Sequence, residues 1–311
     1  MKRILIIRPS SLGDIIQTFP ALTDAAARFP EITFDWAVKK QFTDIPKLHP
    51  AVSEVINIKN CMKHLEHYDA IFELTGLMKN AFFSRIYKAD KIFGFSFDCA
   101  REFLASIFYT KRICVKMNQL AVWRYRAFFA QALGYNTPQE SIKYGFDFER
   151  FETWPAQKPY WVFLHGTTRV NKQWPETYWQ ELAKRVIKAG FEIKLLWGNS
   201  LEHERALRIA SVSNPIWVAP GLLPITKLAG LLIGAHQVVG LDSGLTHFST
   251  ALGVKTLSLY GSTDPLKFNH QTAYLASQYP CAPCSLRTCK LKHQIPDSVP
   301  CFEELTPERV F

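Results

Sequence analysis

The chain has 311 residues, 48% hydrophobic and 21% charged, with a formal net charge of +10. This length suits two domains, and the balance is that of a soluble globular protein. No apolar run approaches the roughly 18 uncharged residues of a membrane span. The N-terminal MKRILIIRPSS has an apolar core of only four residues, too short for a signal peptide, so the cytoplasm is the expected compartment.

In chain order, Ile4 to Ile7 read as a buried strand and Ile15 to Ala27 as an amphipathic helix. Then TFDWAV precedes a helical QFTDIPKL, VSEVINI precedes a polar loop, DAIFEL leads to a helical GLMKNAFFSRIYKA, and KIFGF leads to a basic segment. A helix over Gln119 to Leu133, with Gly134 as its C-cap, closes this half. The Pro-rich ETWPAQKP reads as a linker, placing one domain at 1–151, the linker at 152–159 and a second domain at 160–311. Alternation restarts with YWVFLHG, a helix from Glu176 to Ala189, FEIKLLWG, a helix from Leu201 to Ala210, and IWVA. Next come a helix from Pro224 to Ile233, HQVVGLD, a helix from Gly244, and TLSLYGS. The terminal LTPERVF begins to read as a helix at Phe311, which leaves a continuation beyond it open. Strand–helix alternation of this kind predicts two α/β halves, each a parallel sheet with helices on both faces, flanking a cleft at the carboxyl ends of the strands.

Charge and cysteines are unevenly spread. Between Lys79 and Arg126 stand ten Lys/Arg against three Asp/Glu, which suits a polyanionic partner or else a solvated basic face. Four of the seven cysteines, Cys281, Cys284, Cys289 and Cys301, crowd the end. They allow a structural zinc site or a set of free, redox-labile thiols.

Four stretches fall at predicted strand ends: PSSLGD, HGTTRVNKQWP, WGNSLEHE and GLDSGLTHFSTALG. In the last, Asp242 ends a strand and Ser243 and Gly244 turn into a helix whose free N–H groups suit a diphosphate, although plain N-capping would look the same. Thr167, Thr168, Arg169 and Lys172 add hydroxyls and cations to that rim, and Glu202 suits ribose hydroxyls or the helix dipole. The G-x-G-x-x-G and P-loop patterns are missing from the sequence, which disfavours both of those nucleotide folds. Asp14 is either a helix cap or the group that does the chemistry.

Taken in order with PALTDA, FDWAV, REFLASIFY and YGSTDP, these stretches resemble glycosyltransferase family 9, the ADP-heptose:lipopolysaccharide heptosyltransferases, along nearly the whole chain. Within it the pattern is nearest to members that add the first heptose to the Kdo–lipid A core. The resemblance implies a GT-B fold of two Rossmann-like domains, the acceptor against the first and the ADP-sugar against the second. It implies Asp14 as the catalytic base, with Ser10 and Ser11 beside it and counted with the donor-contacting set. Thr167, Thr168 and Lys172 match donor contacts, Glu202 the ribose, and Leu223 the adenine pocket. Asp242, Ser243, Gly244, Leu245 and His247 match the strip that takes diphosphate and sugar. The reaction implied is inverting transfer of L-glycero-D-manno-heptose from ADP-heptose, needing no metal or other cofactor, to a Kdo residue.

Lys79, Arg101, Lys111, Arg112 and Lys116 lie in the acceptor-side half, where they suit the phosphates and carboxylates of Kdo–lipid A and the anionic inner-membrane surface. Peripheral association with that membrane is therefore expected, and nucleic acid is not: the chain has no recognition helix and no RNP-type sequence. Two features depart from the pattern. The segment NIKNCMKHLEHYD is shorter than the family's basic loop, and the terminal cysteines look more like relatives that extend an existing heptose. A basic nucleic-acid-binding protein and a sugar-nucleotide epimerase are the readings from other classes.

Overall fold

The structure, a computed structural model, describes residues 2–63, 66–214, 216–268, 272–291 and 298–311. The chain divides into two compact units, Met1–Phe148 and Glu149–Phe311.

In the first unit the strands are β1 (Arg3–Ile7), β2 (Thr33–Val38), β3 (Val52–Asn57), β4 (His67–Glu73), β5 (Lys88–Phe95) and β6 (Lys111–Ile113). They pair in parallel in the order β3-β2-β1-β4-β5-β6. A parallel sheet covered on both faces needs unbroken apolar strands, and β1 buries Ile4, Leu5, Ile6 and Ile7 completely. The helices are α1 (Leu12–Arg28), α2 (Met78–Ser84) and α3 (Ala121–Leu133). Gly134 closes α3 in the left-handed conformation at φ 78°, as its position in the sequence predicts. Phe72 on β4 sits edge-on to Phe93, Phe128 and Phe129 at 5.0–5.7 Å, and α3 is thereby fixed to the sheet. Arg126, one of the ten clustered cations, is 1% exposed and forks onto Asp24 of α1 at 2.6 and 3.2 Å. It ties two helices together and offers nothing to a partner.

The second unit repeats the plan with β7 (Tyr160–Leu164), β8 (Glu192–Leu195), β9 (Ile216–Val218), β10 (Gln237–Leu241), β11 (Thr256–Tyr260) and β12 (Ala273–Ala276). Their order, β12-β11-β10-β7-β8-β9, is that of the first sheet. Its helices are α4 (Glu176–Lys188), α5 (Ser200–Ala210), α6 (Ile225–Ile233) and α7 (Gly244–Ala251), with short turns at Pro265–Phe268, Pro300–Glu303 and Pro307–Val310. Trp174 and Trp179 meet perpendicular at 4.9 Å, and Trp174 Nε1 donates to Leu305 O at 2.7 Å, which draws the chain's end onto this core.

Three local expectations are corrected. α1 begins at Leu12 rather than Ile15, which puts Asp14 inside the first helical turn. QFTDIPKL forms two 3₁₀ turns, Lys40–Phe42 and Pro46–Leu48, since Pro46 would remove a hydrogen bond from a longer helix. The helix expected over GLMKNAFFSRIYKA stops at Ser84, because Lys88 and Ala89 pair with His67 and Tyr68 as β5. Of the loop expected after β3, residues 64 and 65 lie outside the described residues.

Candidate active site

In both sheets the strand order reverses beside the first strand, between β1 and β4 and between β7 and β10. Loops leaving such neighbours in opposite directions open a crevice, and the candidate residues converge there.

In the first unit a cavity of about 260 Å³ is lined by Arg8, Pro9, Ser10, Ser11 and Asp14 after β1, by Thr75, Leu77 and Asn80 after β4, and by Arg101. Asp14 is the third residue of α1, and its side chain turns back over the helix start. The backbone N–H and the hydroxyl of Ser11, the N-cap, each donate to Asp14 Oδ2 at 3.0 Å. The other oxygen meets the Arg8 guanidinium at 2.5 Å. Arg8 is itself fixed, donating to Leu74 O at 2.7 Å and lying over the Tyr125 ring at 5.3 Å. Desolvation works to raise the Asp14 pKa, but Arg8 and the two Ser11 donors outweigh it and hold the carboxyl below its ordinary value. With 38% of the side chain exposed, this anion remains open to a substrate hydroxyl. The helix cap is thus an ionised carboxylate that still faces the cavity.

Buried Glu73 shapes the opposite wall. It accepts from the backbone N–H groups of Thr75 and Gly76 at 2.9 Å each, from the Thr75 hydroxyl, and from Tyr109 Oη at 2.6 Å. Gly76 stands at φ 62°, and a Cβ there would lie 2.8 Å from Arg101 N, so this turn needs glycine to admit the Arg101 backbone so closely.

In the second unit Asp242, 6% exposed at the end of β10, pairs with Lys172 from the turn after β7 and with His247 Nε2 at 3.2 Å. Desolvation opposes the Asp242 charge, yet the His247 hydrogen bond and the Lys172 charge prevail and push its pKa far down. Asn171 O accepts from Ser262 at 3.0 Å, which anchors the turn that carries Lys172. Ser243 is the N-cap of α7, so the free N–H groups of Gly244 and Leu245 open beside this ion cluster. Glu202, on the first turn of α5, accepts from Gly198 N at 2.7 Å, and a Cβ on Gly166 would touch its carboxylate at 2.6–2.7 Å. Glu202 therefore lies against the strand end that carries Thr167 and Thr168. Leu223, half-buried, precedes α6.

Of the expected donor residues, the structure brings Lys172 and His247 onto Asp242 and sets Glu202 against Gly166. Ser10 and Ser11, counted with the donor set, follow β1 and so stand in the first unit's cavity with Asp14. Of the expected acceptor cations, Arg101 lines that cavity, whereas Lys79, Lys111, Arg112 and Lys116 do not. Arg112 donates to Ser106 O at 2.9 Å and lies over the Phe97 ring at 5.1 Å. Cys301 is buried, and burial followed by the nearby Cys281, Cys284 and Cys289 pushes its thiol up to about 12. Among the described residues, no group of three or more His, Cys, Asp or Glu is placed to hold a metal ion.

The sequence profile of glycosyltransferase family 9 (heptosyltransferase) matches residues 60–295. This chain belongs to glycosyltransferase family 9. The family 9 chain is 40% identical to lipopolysaccharide heptosyltransferase 1 of Pseudomonas aeruginosa, across 99% of this chain and 96% of that protein. It is 38% identical to lipopolysaccharide heptosyltransferase 1 of Escherichia coli K12, across 85% and 89%. The solved structure of E. coli heptosyltransferase WaaC with ADP-2-deoxy-2-fluoro heptose matches at a TM-score of 0.79 and 36% identity, covering 88% of this chain and 93% of that one.

The protein is therefore a glycosyltransferase with the GT-B type of fold, two Rossmann-like parallel-sheet domains. Sequence reasoning about this family 9 enzyme missed Arg8, Glu73, Thr75, Leu77 and Asn80. A cation directly at the end of a buried strand, immediately before PSSLGD, was the available signal for Arg8. The others became visible only once β4 was seen beside β1.

Proposed function

We propose that this enzyme transfers heptose from ADP-heptose to a Kdo residue of Kdo–lipid A, with inversion and without calling on a metal ion. The observation that carries this reading is the ionised Asp14 in a cavity that also presents Arg8 and Arg101. Two arginines suit the carboxylates of a Kdo acceptor, and Asp14 takes the proton of the attacking hydroxyl. In the second unit, Lys172, His247 and the N–H groups of α7 meet the charge that grows on the departing ADP, while Glu202 suits the ribose. The relatives named lipopolysaccharide heptosyltransferase 1 and the ADP-sugar analogue bound by E. coli WaaC support the same donor and pathway step. With an acceptor embedded in the membrane, the enzyme works at the cytoplasmic surface of the inner membrane.

The deciding experiment measures heptose transfer from ADP-heptose to Kdo₂–lipid A by the unaltered chain and by Asp14→Asn. The variant is expected to lose about 10²–10⁴-fold in kcat, with ADP-heptose affinity retained. If neither protein turns over while both bind ADP-heptose, the acceptor is misassigned. A variant that keeps its rate would reduce Asp14 to a helix cap.

A further inference from the structure

The second elements to leave the cavity of the first unit carry a surface that catalysis does not use. Phe82 on α2 is 57% exposed, and on the 3₁₀ segment Phe103–Phe108 the residues Phe103, Leu104 and Ile107 are 62%, 42% and 59% exposed. Single exposed apolar side chains need no explanation, but four on two touching elements form a patch. Phe82 meets Phe108 edge-on at 6.2 Å, which joins the two elements. Their inner sides are already engaged: Ala81, Ala105 and Tyr109 are buried in the same core cluster. The outward rings are therefore surplus to folding.

Charge on this face has one dominant sign. Lys79 and Arg85 flank Phe82 on α2, Arg101 stands two residues before Phe103, and Arg112 lies beside the segment. Three carboxylates, Asp90, Asp98 and Glu102, fall between Lys79 and Arg112 in sequence, and the one nearest the segment, Glu102, is turned onto the start of α2, where it accepts from Met78 N at 2.7 Å. Apolar side chains ringed by cations match a surface that is apolar below and anionic above, as a bilayer containing acidic lipids is. A second copy of the chain would bring the same cations face to face. No helix among the described residues is long and apolar enough to cross a membrane, so contact would be from one side.

The patch also continues from the cavity. Leu77 and Asn80 line the cavity and belong to the entry of α2, while Arg101 lines it just before Phe103. We propose that the face formed by α2 and Phe103–Phe108 docks the enzyme on anionic lipid bilayers, with Phe82, Phe103, Leu104 and Ile107 entering the headgroup–acyl boundary. Its placement beside the cavity rests on the acceptor being lipid-anchored. Docking there would present an acceptor sugar to Asp14 while its anchor stays in the membrane.

Flotation with vesicles of phosphatidylethanolamine and phosphatidylglycerol tests this, using the full chain and a Phe82→Ser, Phe103→Ser, Ile107→Ser variant. The unaltered chain is expected to float with these vesicles, to float weakly with phosphatidylcholine alone, and to dissociate at high salt. The variant is expected to partition at least about tenfold less, since each large side chain removed takes buried apolar area with it. Its transfer rate to a water-soluble Kdo acceptor should stay unchanged, and its rate on vesicle-embedded Kdo₂–lipid A should fall. Equal flotation of both proteins, or none by either, overturns the proposal. So does a concentration-dependent dimer in sedimentation that the variant abolishes, which would assign the patch to a second copy. Patch-dependent flotation with no transfer to either acceptor would leave the docking surface standing and refute the proposed activity instead.

Discussion

Asp14 shows how one side chain can hold a helix start and remain accessible from a cavity. Its Oδ2 takes both Ser11 donors and its Oδ1 takes Arg8, so the carboxylate is oriented before any substrate arrives. Because those partners hold its pKa below the usual carboxylate range, Asp14 stays ionised as pH falls through 5, and in its proposed role as base activity should fail only in stronger acid. Replacing Arg8 by Gln removes the charge that favours the anion. The acid limb of kcat/KM against pH should then move upward by about one unit or more, as expected for losing a close opposite charge. A profile with an unmoved acid limb would show that Arg8 does not tune Asp14.

At the scale of elements, the wall after β4 depends on a turn that the sequence alone does not advertise. Glu73 collects the N–H groups of Thr75 and Gly76 and the Tyr109 hydroxyl, and it is fully buried in doing so. Gly76 then lets the Arg101 backbone approach, with Glu102 N donating to Gly76 O at 2.8 Å. Gly76→Ala introduces a Cβ at a positive φ and against Arg101 N, and should cost about 1–3 kcal/mol of stability. Its functional signature should be a raised KM for the acceptor with ADP affinity unchanged, because the residues proposed for the donor lie in the other unit. Calorimetric titration with ADP beside acceptor kinetics separates the two effects.

At the scale of the whole molecule, acid is expected to unfold the protein through its buried histidines. His49 is 2% exposed: Nδ1 accepts from Ala51 N at 3.1 Å, and Nε2 faces the Thr23 hydroxyl at 2.9 Å. Burial lowers its pKa to about 4, and burial, followed by the Arg205 charge, lowers that of His165 to about 3. An unfolded histidine takes up its proton near 6.5, so below that pH the unfolded chain binds protons that the fold refuses. Stability is therefore full above about pH 6.5 and falls as pH drops toward 4, by on the order of 3 kcal/mol for His49. Urea midpoints measured at pH 7 and pH 5 should show the fall, and His49→Gln should flatten it.

Ten of the twelve described strands were legible because a doubly covered parallel sheet demands apolar runs such as RILII and QVVGL, and most helices between them because amphipathic periods separate those runs; the edge strands β6 and β12 lack such runs. Asp242 stood out because a carboxylate directly after a buried strand has few purely structural uses, and Asp14, Lys172 and Glu202 because they lie in the loops or first helical turns that leave β1, β7 and β8. The resemblance to family 9 rested on those same strand ends. Local pattern misled where pairing overruled propensity, as at Lys88, where β5 cuts α2 short. It could not distinguish Arg126, locked onto Asp24, from Arg101, free to line a cavity, since both read as members of one basic run. Sequence by itself determined ten of the twelve described strands and most of the helices that join them, while the short edge strands β6 and β12 emerged only from pairing. Tertiary structure alone decided that β4 lies beside β1 and β10 beside β7. Strand order arises from contacts distant in the chain, and it is this order that brings Arg101 near Asp14 and Lys172 onto Asp242.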